Sequence, residues 1–145
     1  MTPSPTPVPT TAPASGETTV AGTITLPADA TGRCLMVALD NDTTGSNGVA
    51  RRTDGGEALS YQMVTGASAA FSLDRVPAGT YFLWGYVDVD RSVSNPPASC
   101  ELTGGPNRGD HLGYFATGLI APGAPNVTVP HAAAARFDFA LGVFP

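Results

Sequence analysis

The chain has 145 residues, a formal net charge of −5 and only 13% charged residues, and arginine supplies all of its strongly basic side chains. That length holds one domain with a self-sufficient core, and an acidic chain without lysine lacks the basic stripe that nucleic acid or an anionic membrane surface requires. No stretch approaches the ~20 consecutive apolar residues of a membrane-spanning helix.

Met1 leads directly into TPSPTPVPTTAPASGE, and residues 1 to 17 carry almost no large apolar side chain. Such a segment cannot bury enough surface to offset its ordering entropy, and its closely spaced prolines favour extended polyproline II. It is expected to be a disordered or extended Pro/Thr-rich linker or stalk that spaces residues 18–145 from an anchor. It resembles the spacer that follows a cleaved export signal or a lipidated cysteine. The expected location is therefore extracellular or in the cell envelope, with a lipid anchor upstream as one means of attachment.

From Thr18 the hydrophobic period becomes two. In VAGTITLP, Val20, Gly22, Ile24 and Leu26 alternate with threonines. CLMVALD repeats this with Leu35, Val37 and Leu39, LSYQMV with Leu59, Tyr61 and Met63, and AFSLD with Phe71 and Leu73. Near the end, VTV and RFDFAL alternate again, the latter with Phe137, Phe139 and Leu141 inward and Arg136 and Asp138 outward. Alternation of this kind marks half-buried antiparallel strands. The run TYFLWGYVDVD differs, because it is apolar on both faces, as in a central strand covered on both sides. Turn sequences such as PADATG, VPAGT and GGPNRGD separate these runs. The expected fold is all-β, a seven- to eight-stranded antiparallel Ig-like or prealbumin-like β-sandwich.

The run FSLDRVPAGTYFLWGYVDVD, followed by GDHLGYF and VTVP…FDFAL, resembles the transthyretin-like (prealbumin-like) β-sandwich and its carboxypeptidase regulatory-like and Cna-B-type bacterial relatives. The likeness spans most of residues 19 to 143, and VPAGTY is its most specific part. It implies a non-enzymatic accessory role in adhesion, spacing or surface assembly, and a fold-level signature goes no further than that.

The same resemblance implies a calcium site where the central strand ends in an acidic pair. Asp88 and Asp90 open the segment, and Asp110 and Glu101 are the other candidate oxygen ligands. The sequence departs from the family pattern here: Arg91, Ser92, Val93 and Ser94 stand where such loops place Asn, Gly and Asp. A second acidic cluster, Asp40 and Asp42, imitates the start of an EF-hand loop, but its twelfth position is Arg51 and no helices flank it. Calcium is the one cofactor these residues call for, and turn formation is the alternative use of the same side chains.

Cys34 and Cys100 are the two cysteines, without the spacing of a redox or zinc motif. An exported chain would join them in one disulfide, and a cytosolic one would keep two buried thiols. No catalytic constellation is present: GASAA lacks the last glycine of a nucleophile elbow, and GGPNRG is no phosphate loop. His111 and His131, each in or beside a turn, have no Cys or Glu at ligand spacing.

Two functions follow as expectations. The first is a structural, adhesive or assembly module that binds a protein partner or associates with itself at a sheet edge. The second is a carbohydrate- or ligand-binding module using the aromatic stripe Phe82, Trp84 and Tyr86, which would otherwise be core.

Overall fold

The computed structural model describes residues 18–41, 48–89, 108–120, 122–132 and 135–143. Among the described residues nine strands follow one another: β1 Val20–Thr25, β2 Cys34–Asp40, β3 Leu59–Met63, β4 Ser68–Leu73, β5 Gly79–Val87, β6 His111–Tyr114, β7 Val127–Val129, β8 Phe139–Ala140 and β9 Gly142–Val143. A short 3-10 turn at Ala28–Ala30 is the only helical element among the described residues. The strands form two sheets, ordered β4-β1-β8 and β3-β2-β5-β6-β9, with β7 pairing the start of β5. The protein is the all-β sandwich that its alternating sequence predicts.

The small sheet follows that alternation residue by residue. β4 buries Ala69, Phe71 and Leu73 and exposes Ser68, Ala70 and Ser72, while β1 turns Val20, Gly22 and Ile24 inward. Between the sheets these side chains meet Leu35, Val37, Leu39, Leu83 and Val87. Each large aliphatic side chain buried there contributes about 1.5–3 kcal/mol relative to exposure.

The large sheet departs from simple alternation. β5 is buried on both faces, as its sequence predicts, but so is β2, where every residue except Asp40 is buried. β2 lies between β3 and β5 rather than at a rim. Its Cys34, Met36 and Ala38 therefore join Tyr86 and Leu112 in a second apolar cluster on the far face, flanked by Leu59, Tyr61, Met63, Trp84 and Tyr114. Leu59, Tyr61 and Met63 do share a face, but it is this outer one.

The sandwich also departs from a purely antiparallel arrangement. β8 runs parallel to β1, with Ile24 opposite Phe139, and β9 then runs antiparallel to β6, with Leu112 opposite Gly142. The stretch 137–143 lies between the two sheets and serves both: Phe137 N–H donates to Ala21 O at 3.1 Å and Leu141 N–H to Thr25 O at 3.0 Å. Glycine makes this approach feasible. A Cβ at Gly22 would sit 2.5 Å from Phe137 O, and one at Gly113 would overlap Ala140 O. Gly in a strand interior is the residue that lets another backbone come this close.

Candidate functional site

The far face of the large sheet gathers most of the residues singled out from the sequence. Leu35 pairs Val87, and Val87 pairs His111. One residue further along each strand stand Cys34, Asp88 and Asp110, side by side on β2, at the end of β5 and just before β6. All three are fully buried. Asp110 Oδ1 accepts the Val89 N–H at 3.0 Å, holding the exit of β5 against the entry to β6. Cys34 is not a free thiol.

Further along that face the aromatic residues form a ladder. Trp84 stacks on Tyr86 with centroids 6.4 Å apart and planes at 19°, and on Tyr114 at 6.2 Å and 24°. Trp84 and Tyr114 are half-buried, whereas Tyr86 and Phe82 are buried. Of the stripe Phe82, Trp84 and Tyr86, only Trp84 is within reach of a ligand, and Tyr114, which the sequence did not single out, joins it. The buried Trp84 N–H finds no acceptor among the described residues. Burial, and then the nearby negative charge of Asp40, pushes the Tyr114 hydroxyl above its ordinary pKa.

Asp88 and Asp110 of the candidate calcium ligands are thus neighbours, and Asp40 of the second cluster sits at the far end of the same face. Asp90, Glu101, Asp42 and Cys100 lie outside the described residues. Among the described residues no group of three or more His, Cys, Asp or Glu side chains is arranged to hold a metal ion. Two carboxylates are a fraction of the six to eight oxygens that calcium takes.

The two histidines are tied into the fold. His111 is the first residue of β6 and 1% exposed, and its Nε2 lies 2.6 Å from Asp29 Oδ1 in the 3-10 turn. His131 Nε2 lies 2.6 Å from Thr19 O, and its ring meets Phe137 edge-on at 5.0 Å. Asp110 and His111 engage different partners, as neighbours on a strand must. The sequence marked Asp29 only as part of a turn. Nothing local signals its pairing with a residue 82 positions away.

No helix among the described residues is long and apolar enough to cross a membrane. Comparison with protein-family models, with curated proteins and with solved structures finds no match to this chain.

Proposed function

We propose that this chain is a non-enzymatic structural, adhesive or assembly module of a bacterial surface protein, a β-sandwich of the transthyretin-like kind on a Pro/Thr-rich stalk. One observation carries the reading: the side chains best suited to chemistry are engaged in holding strands together. His111 binds Asp29, His131 binds Thr19 O, and Asp110 binds the Val89 N–H. Cys34, which is buried and not a free thiol, supports a Cys34–Cys100 disulfide and with it an oxidising, extracellular or envelope setting.

Thermal melts test this directly. Closing the long loop between Cys34 and Cys100 stabilises the fold by roughly 4 kcal/mol in the chain-entropy model. Reductant, or Cys100→Ser, should therefore lower the midpoint by many degrees. An unchanged melt, with two titratable thiols in the native protein, would remove the disulfide and the argument for export. Calcium completing its shell around Asp88 and Asp110 would raise the midpoint by several degrees at an excess of about a hundredfold over Kd. Asp88→Asn should abolish that rise, and no rise over an EDTA control discards the ion.

The half-buried Trp84 and Tyr114 favour a second reading, a carbohydrate- or ligand-binding module. Trp84 is the only tryptophan, so a glycan panel read by its fluorescence decides the matter. A saturable shift lost in Tyr114→Ala supports it, and an unmoved spectrum excludes it.

A further inference from the structure

We propose that the free edge of β4 pairs, antiparallel and about a two-fold axis at Ala70, with the same edge of a second copy of this chain. The inference rests on the assembly reading above and names the surface and the partner. Among the described residues β4 and β3 end the two sheets, while the opposite side is closed by residues 137–143.

The direction of the β4 backbone groups follows from its neighbour. Ala21 O and Thr25 O accept from Phe137 and Leu141, and Thr23 N–H donates to Asp138 Oδ1 at 2.8 Å. These three residues of β1 thus turn their backbone groups away from β4. In an antiparallel ladder their opposite numbers, Ser72, Ala70 and Ser68, turn theirs away from β1. Gln62 Nε2 donates to Ala70 O at 2.8 Å, which shows that this carbonyl points outward.

The edge suits a copy of itself. Its outward-turned residues read Ser–Ala–Ser in either direction, so a two-fold at Ala70 sets each serine against a serine and Ala70 against Ala70. The exposed side chains of Ser68, Ala70 and Ser72 are small and uncharged, and β4 carries no charge or proline to blunt it. Asp74, the first charge beyond the strand, falls opposite Gly66 of the other copy rather than another acid. It is already paired with Arg52 at 3.3 Å and Arg75 at 3.5 Å. Pairing displaces one exposed hydrogen bond, that of Gln62, and makes several between the two strands.

Sedimentation of the full chain from micromolar to millimolar concentration tests the proposal. A reversible dimer is expected. Ala70→Pro removes only an outward N–H, so it should leave the monomer fold intact while raising the dimer Kd about tenfold or more. Ala70→Lys, at an exposed position, sets two ammonium groups directly opposite each other and should do the same. Gln62→Ala frees Ala70 O and should tighten the dimer. A strict monomer throughout overturns the edge pairing, and so does a dimer indifferent to both Ala70 variants. The reductant and calcium melts of the monomer still judge the module reading on their own terms.

Discussion

Along one side of the sandwich, between β1 and β6, the backbone of residues 137–143 fills the gap; along the other, the Gln62 side chain reaches from β3 to Ala70 O of β4, and the segments flanking the two strands meet through Thr53 N–H to Arg75 O and Arg52 to Asp74. The first closure works through backbone. It requires glycine at Gly22 and Gly113, since any side chain there meets the carbonyls of Phe137 and Ala140. It is reinforced by Asp138, whose carboxylate accepts the Thr23 N–H and is joined by Arg136 at 3.2 Å. Within the strands the second closure includes Gln62, whose side-chain hydrogen bond to Ala70 O can be released without disturbing a ladder. A strand-filled seam cannot open without losing core residues Phe137 and Leu141. The glutamine-bridged seam leaves a strand edge available, and exposed edges are where proteins recruit further strands.

The largest effect expected from breaking this contrast comes at Gly113. Gly113→Ala places a Cβ on a backbone carbonyl that cannot rotate away, and overpacking of this kind costs about 3 kcal/mol. Urea unfolding should show that loss without a change in m-value. Near wild-type stability would mean that residues 137–143 do not fill the seam as described. Next in size is Asp29→Ala, which tests the pairing that pins the 3-10 turn to β6. It leaves the buried His111 Nε2 unpartnered, at a cost of about 1–3 kcal/mol. Asp29→Asn keeps an acceptor and should recover part of that loss in the same denaturation series.

How far the sequence reveals this architecture depends on how local each signal is. The alternation in β1, β4 and β7 is written within six residues or fewer and reads correctly, because the side-chain period of a strand is intrinsic to its backbone. The double-sided burial of β5 is legible for the same reason. β2 shows the limit: Cys34, Met36 and Ala38 are small or adaptable and fit either face, so their burial follows from β2 lying between β3 and β5. Asp29 with His111, and Asp138 with Thr23, join residues 82 and 115 positions apart, and only the strand order brings them together. Gly22 and Gly113 are the local signal of the seam filled by residues 137–143, since glycine inside an apolar strand marks the close approach of another chain segment. At the candidate site Phe82, Trp84 and Tyr86 share a face because side chains alternate along β5, whereas the contact of Trp84 with Tyr114 depends on β6 pairing with β5. Phe82 and Tyr86 are buried, and Tyr114 stands beside Trp84 instead.

The smallest expected effect separates the two seams by pH. Hydrogen bonding from the Thr23 N–H, and then from Arg136, holds the Asp138 carboxyl below its ordinary value of 3.8. A carboxylate whose folded pKa is lowered stabilises the fold at pH values above its unfolded pKa. That contribution disappears as pH falls through 3.8 and on through the lower folded value. Asp138 is exposed, so solvent screens the interaction and the loss is modest. Wild type should thus exceed Asp138→Asn slightly in stability at neutral pH, and the difference should close on acidification below the carboxylate range. Gln62 does not titrate, so the gap between wild type and Gln62→Ala should stay constant over the same interval. Denaturant midpoints for both variants at neutral and acid pH measure this. If the two gaps moved in parallel, Asp138 would have no part in clipping the closing strand, and the backbone approach over Gly22 and Gly113 would carry that seam alone.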